Sequence, residues 1–316
     1  MKPSILQTRA WQNFQHALGE TTFFEQNQDF QYLAIKKSTP AGPYLYLPYG
    51  PYIANKNASK TAYEALQALA EREGAIFIRI EPESPENASY WLEQKNCKKS
   101  HDLNPADTWV LDLTAEKAEI ITNFSQGTRT RYNTFVKKGL SVTTSKNPDD
   151  IKYLVNLQQK LAKFKKIATF SENYLKTELA QDFATLYLVH YTDPEDQKDK
   201  IIAASLFFDD ENTRYYMQSA ADFAYKKLPG TVALLTTAIF DAKEKGLKNF
   251  DFWGIAPDGA GEDHPWAGFT EFKKSFGGAP KHYAGTHDLI LNPHKYRLYQ
   301  RLRKLNRLKR RVLREK

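Results

Sequence analysis

The sequence predicts an α/β (α+β) protein built from two tandem units, and three observations point there. Residues 62–82, "AYEALQALAEREGAIFIRIEP", run as an amphipathic helix, a glycine stop, a short apolar strand and a proline. Residues 233–257, "ALLTTAIFDAKEKGLKNFDFWGIAP", repeat that order, which is the mark of a duplicated supersecondary unit. A strand rich in tyrosine and small residues precedes each helix, "YLYLPYGPYI" (44–53) and "RYYMQSAAD" (214–222). The 316 residues, 41% apolar and 13% aromatic, supply material for two cores and exclude a disordered chain.

Each element has a local reason. Gly74 and Gly246 follow "AERE" and "AKEK" as helix C-terminal stops. "DTWVLDLT" (107–114) reads as a strand, and "AEKAEIITNFSQGTRTRYNTFVKKG" as one helix after it. Then come the strand "LSVTTSK" and the helices "NPDDIKYLVNLQQKLAKFK" and "SENYLKTELAQ". Strands "ATLYLVHYT", "IIAASLFFDD" and "TRYYMQS" form a meander, followed by the 231–246 helix and the strand "NFDFWGI". Strand, two helices, antiparallel strands, helix and strand is the order of a GNAT-type acyltransferase fold. The turn "KKLPGTVALL" sits where that fold opens a pyrophosphate-binding helix N-terminus, but Gly230 is its one glycine, so a plain turn is expected.

Cys97 is the one cysteine, which excludes an intramolecular disulfide and a cysteine-rich zinc site. The histidines show neither HxH nor HExxH spacing, so no metal site is expected. No run of apolar residues is long enough for a signal peptide or a membrane span, and a cytoplasmic location is the expectation. The chain's net charge is +8, yet residues 295–316 hold eleven Lys/Arg against Glu315, so residues 1–294 sum to −2. In that tail Leu298, Leu302, Leu305, Leu308 and Val312 recur at helical spacing, a stripe expected to dock the helix. Its outer basic face would suit RNA phosphate or anionic lipid headgroups.

The stretch "HPWAGFTEFKKSFGG" (264–278) combines rings, adjacent lysines and glycines in what reads as a loop. Together with "LPYGPYI", "IRIEP", "TWVLDLT", "GTRTRYNTFVKKGLSV", "KNFDFWGIAP" and "HYAGTHDLILNPHKYRLY", it resembles the FemABX family. Members are peptidyltransferases that move an amino acid from aminoacyl-tRNA to the stem peptide of a peptidoglycan precursor. The resemblance implies two GNAT-like domains, 1–106 with 288–316 and 107–287, with the C-terminal helix returning to the first. It also implies the compact form without a helical arm, since no long heptad segment occurs.

On that resemblance Phe272 and Lys273 meet the 3′ end of the tRNA, the ring stacking on a base and the ammonium steadying an oxyanion. Glu81 is the carboxylate that holds the attacking amine or takes its proton. Arg79 shares its strand face and pairs with it or with substrate. Tyr215, Tyr216 and Tyr174 line the substrate cavity, as do Trp11 and Gln15, where some relatives carry a phosphate-binding lysine at the latter position. Phe170 replaces a phosphate-binding arginine, with Lys163, Lys165 and Lys166 as substitutes. Arg129, Arg131, Lys137, Lys138 and Lys274 are the RNA- or phosphate-binding set. The expected mechanism is direct aminolysis with aminoacyl-tRNA as co-substrate and no cofactor. The transferred residue is Gly, Ala or Ser, the acceptor lipid II or UDP-MurNAc-pentapeptide, and the protein a monomer with peripheral membrane contact through 295–316. The alternative on the same fold is an acyl-CoA-dependent N-acyltransferase, and a second is a non-catalytic RNA- or membrane-binding module.

Overall fold

The computed structural model describes residues 2–165, 169–195 and 197–314, with side chains through 162 and 306 in the two helices that end at 165 and 314. The chain divides into two compact units, Met1–Ala106 with His282–Lys316, and Asp107–Lys281. The first begins with α1 (Arg9–Ala17), β1 (Thr21–Gln26), β2 (Phe30–Lys37), β3 (Tyr44–Leu47) and β4 (Tyr52–Ile53). It continues through α2 (Ala58–Arg72), β5 (Phe77–Ile80), α3 (Ser89–Leu92) and β6 (Cys97–Lys99). The second opens with β7 (Asp107–Asp112), α4 (Lys117–Asn123), α5 (Gln126–Thr134), β8 (Leu140–Ser145), α6 (Ile151–Lys165) and α7 (Glu172–Leu179). After these come β9 (Ala184–Thr192), β10 (Asp199–Asp209), β11 (Thr213–Ala221), α8 (Gly230–Glu244), β12 (Asn249–Gly254), α9 (Ala267–Lys274) and β13 (Ala279–His282). Finally β14 (His287–Ile290) and α10 (Pro293–Arg314) return to the first unit.

The first sheet runs β1-β2-β3-β5-β14-β6 with β4 beside β2, and the second β13-β7-β12-β11-β10-β9-β8. Both contain one parallel crossover after an antiparallel meander. In the first, α2 carries the chain from β3 to a parallel β5, with Leu45 opposite Ile78. In the second, α8 carries it from β11 to a parallel β12, with Tyr215 opposite Asp251. The helix exits are alike because Gly74 (φ +65°) and Gly246 (φ +79°) take the left-handed conformation that ends a helix. The repeated helix–glycine–strand text is therefore a repeated crossover. Leu45, Leu66, Ile78 and Trp91 belong to one core, and Leu111, Phe207, Leu234, Phe250 and Phe276 to the other.

Three expectations change. The long helix expected after residue 114 breaks at Phe124, which is extended, and Ser125 caps a new helix by accepting from Thr128 N–H. Arg79 does not pair with Glu81. It forms a two-pronged ion pair with Asp288 on the adjoining β14 (2.7 and 2.8 Å), with Tyr44, Phe77 and Tyr299 around the guanidinium. The side chain is buried and thus unavailable to a substrate. Of the tail's leucine stripe, Leu302 docks but Leu298 and Leu305 do not. Tyr296, Tyr299 and Leu302 pack on Ile76 and Phe77, and Tyr296 donates to Asp288 (2.8 Å), whereas Leu298 and Leu305 are about half exposed. Rings win because they cover Arg79 as well as apolar surface. The side chains of Leu308 and Val312, like those of Lys163 and Lys165, lie outside the described residues, as do Lys166 and residues 315–316.

Candidate active site in the second unit

The C-terminal end of β12 builds the site. Asn249–Asp251 pair in register with Asp112–Val110 of β7, then the register slips before Gly254 meets Thr108. Trp253 occupies the slip with φ +65°, a conformation costly for a bulky side chain and found where surrounding structure enforces it. Its N–H donates to Asp251 Oδ1 (2.7 Å), and Thr108 Oγ1 donates to Oδ2 (3.2 Å). Asp251 is buried, and burial pushes its carboxyl up to about 6 against the opposing pull of these donors and of Lys281 and Lys273.

Lys273 reaches this bulge from α9, which is moored by Thr270: the Ala256 N–H donates to its hydroxyl (2.8 Å). Lys273 Nζ donates to the Gly254 carbonyl (2.5 Å), which takes one of three ammonium donors. Burial pulls the ammonium down to about 8, and the Asp251 charge resists. A cation that is only marginally stable, beside a carboxyl that is reluctant to ionise, is typical of reactive sites. Tyr215 completes the group, in register with Asp251, its ring edge-on to Trp253 at 6.0 Å and its hydroxyl donating to Asp210 (2.7 Å).

Asp251, Trp253 and Thr108 escaped the sequence reading. A readable signal was there: "FDFW" sets an aspartate inside an otherwise apolar strand, where a charge is expensive. The stretch 264–278, expected as a loop, contains the helix α9. Gly268 lies in it with open space around it, so its freedom is not used there. Gly277 and Gly278 do require glycine. A Cβ on Gly278 (φ +96°) would stand 2.4 Å from the Val110 carbonyl oxygen, so α9 can end hard against β7.

The other expected residues are dispersed. Phe272 is partly buried, packed edge-on to Phe276 (5.3 Å) in the core, and so is not an open stacking ring. Tyr216 stacks on Phe207 and donates to Ser219 (2.7 Å), the core-facing member of the tyrosine pair. Tyr174 lies over Phe170 (4.8 Å) and bonds Glu178. Arg129 donates to the carbonyls of Thr122 (2.7 Å) and Phe124, closing the end of α4, so it is committed to the fold. Arg131, Lys137, Lys138 and Lys274 are exposed. A recess of about 670 Å³ between α6 and β8–β10, including Thr143, His190 and Asp199, holds none of the expected residues. We place the site at the β12 bulge because there the chemistry, not the space, is unusual.

In the first unit Glu81 is buried, and its oxygens accept from the Tyr46 hydroxyl (3.1 Å), the Asn104 amide (2.7 Å), the Thr286 hydroxyl (2.8 Å) and the N–H groups of Tyr49, Leu103 and Asn104. Six donors occupy a carboxylate's acceptor sites. Glu81 is a clamp on the loops around it, which corrects its assignment to the attacking amine. Trp11 and Gln15 are buried in the inner face of α1, not open to a ligand. Among the described residues no group of three His, Cys, Asp or Glu side chains gathers as for a metal, and no helix is long and apolar enough to cross a membrane.

The FemAB family model matches residues 175–304, a span that includes Tyr215, Asp251, Trp253 and Lys273. Comparison with curated proteins gave no match. Among solved structures, FemX is similar with a TM-score of 0.83 at 17% identity, over 93% of this chain and 94% of that one. L-PGS from Bacillus licheniformis is similar with a TM-score of 0.59 at 15% identity, over 92% and 94%. A tandem GNAT protein from the clavulanic acid biosynthesis pathway scores 0.53 at 11% identity, over 86% and 84%. These likenesses show the fold, two GNAT-like units in tandem. The family match covers residues 175–304, and the fold of the chain as a whole is the one it shares with FemX.

Proposed function

We propose that the chain is an aminoacyltransferase of peptidoglycan bridge synthesis, moving Gly, Ala or Ser from aminoacyl-tRNA to the stem-peptide amine of a lipid- or UDP-linked precursor. The observation that carries this reading is Lys273 bound to the Gly254 carbonyl at the strained β12 bulge that also holds the buried Asp251, inside the family-matched span. The donor is an ester, already activated, so neither an enzyme nucleophile nor a cofactor is called for. The acceptor amine attacks the ester carbonyl and a C–N bond forms. The C–O bond to the ribose then breaks, and the proton lost by the amine ends on the ribose oxygen. Lys273, as the ammonium, faces the oxyanion of the tetrahedral intermediate, and the Gly254 carbonyl holds it in position while the Asp251 charge favours its protonated form. Positioning of the two substrates supplies much of the rest. A cytoplasmic site of action, a monomer, and contact of residues 295–316 with the inner membrane face belong to the same proposal.

The test is transfer of radiolabelled amino acid from charged tRNA to both acceptors, with ribonuclease as control. Ribonuclease-sensitive transfer is expected, and Lys273→Met lowers kcat on the order of 10²–10³. The rate falls as pH rises through about 8, where Lys273 loses its proton, and Lys273→Arg moves that limb upward. Transfer from an acyl-CoA thioester without RNA would replace this reading with the N-acyltransferase one.

A further inference from the structure

The recess between α6 and the β8–β10 face takes no part in the proposed transfer. Its volume, about 670 Å³, falls within the range of roughly 300–1,000 Å³ that small-molecule sites occupy. Strand register builds its floor. His190 on β9 lies opposite Ser141 of β8 and Ile201 of β10, so Thr143, Leu188, His190, Asp199 and Ile201 share one face of the sheet. From α6 come Tyr153, Asn156, Gln159 and Lys160, at the spacing that puts them on one side of a helix.

The hydroxyl protons of the floor are already committed. A carboxylate only accepts, so the His190 imidazole donates its Nδ1–H to Asp199 (2.7 Å), and the neutral ring takes the Thr143 hydroxyl proton at Nε2 (2.8 Å). The Ser145 hydroxyl likewise donates to Asp150 (2.6 Å). Lone pairs on Thr143, Asp150 and Asp199 are left over, which call for a ligand rich in O–H or N–H donors. The side-chain amides of Asn156 and Gln159, which both donate and accept, have no partner among the described residues. Charge narrows the class further. Asp150 and Asp199 oppose a phosphate or a carboxylate. Lys160, paired with Asp222 (2.5 Å), and Lys152, 5.1 Å from the centroid of the Tyr153 ring, oppose a cation. Leu157, Leu188 and Ile201 are the apolar lining, too little for an acyl chain. Vicinal hydroxyls on an uncharged ring meet all of these conditions.

We propose that this recess is a binding site for a neutral saccharide, whose hydroxyls donate to Thr143, Asp150 and Asp199 and exchange hydrogen bonds with Asn156 and Gln159. The assignment stands on the recess alone and not on the aminoacyl-tRNA reading.

The probes are two neutral trisaccharides, maltotriose and N,N′,N″-triacetylchitotriose, with spermidine and inorganic phosphate as charged competitors. Saturation-transfer NMR and calorimetry read their binding to the full-length protein without RNA, so failure of the transfer reading leaves the result untouched. At least one trisaccharide binds, added salt leaves its affinity unchanged, and neither charged probe displaces it. Asn156→Ala and Gln159→Ala each weaken binding roughly 2- to 10-fold. Asp199→Ala weakens it roughly 10- to 150-fold, since its hydrogen bonds are charge-assisted. All three side chains are exposed, so the variants fold, which thermal melting verifies. Binding of neither trisaccharide by the wild type would overturn the proposal. So would undiminished binding in the Asn156→Ala/Asp199→Ala double variant, which would put the saccharide elsewhere on the protein. Displacement by spermidine or phosphate would make the recess a site for a charged ligand, and the proposal falls.

Discussion

At the scale of single residues, burial sets the charge states that matter. Lys273 and Asp251 are moved toward one another from opposite ends of the titration range by the same desolvation. Glu178 shows the effect apart from the candidate site. It is buried on α7, its Oε2 has no hydrogen-bond partner, and burial pushes its carboxyl up to about 8 against the donors Tyr174 and Gln218. The folded chain thus keeps this proton to higher pH than the unfolded chain, whose ordinary value is 4.5. Its contribution to stability is full below 4.5, declines as pH rises toward about 8, and is lost beyond. The slope between is on the order of 1.4 kcal/mol per pH unit. Urea denaturation of wild type and Glu178→Gln at pH 5 and pH 8 should show this decline only in the wild type. Parallel curves would mean that Glu178 is already ionised at pH 5.

At the scale of elements, the crossovers were legible and the bulge was not. Glycines after "AERE" and "AKEK" and the apolar runs that follow are local signals, and α2–β5 and α8–β12 appear where those signals put them. The break at Phe124 and the helix within 264–278 depend on partners far along the chain, namely Ser275 for the first and β7 for the second. Residue types identified Lys273 and Tyr215 but not the slip at Trp253 that brings a carbonyl to the amine, because a bulge is a property of paired strands. The ending of α9 can be tested directly. Gly278→Ala forces a side chain toward the Val110 carbonyl in a left-handed backbone, and should destabilise the protein by roughly 1–3 kcal/mol in denaturant titration. A change below about 0.5 kcal/mol would show that α9 can withdraw from β7 at no cost.

At the scale of the whole chain, two units share one plan, to which the second adds a candidate site. Each has a meander, a helix and a parallel strand, and each places buried charge in clamps, Arg79 with Asp288 and Glu81 with its six donors in the first, Arg214 with Asp209 and Asp241 in the second. The second leaves a lysine and an aspartate poised. The basic C-terminal helix divides likewise: Tyr296, Tyr299 and Leu302 are structural, and Leu305 onward is not shown to be. Ending the chain after Asn292 should therefore expose β5 amides to hydrogen exchange, while ending it after Asn306 should leave them protected. Equal protection in both truncations would remove the docking role of the rings.

The return of β14 and α10 to the first unit has a consequence for biosynthesis. β14 fills the place between β5 and β6, so the amino-terminal sheet lacks a central member until residues 287–290 have left the ribosome. A segment made later completes one made earlier, and the Asp107–Lys281 body between them, continuous in sequence, is free to mature before that completion. A nascent chain that has emerged from the ribosome only as far as about residue 285 would carry a finished second body behind an unfinished leading one, with Arg79 still waiting for its counter-ion.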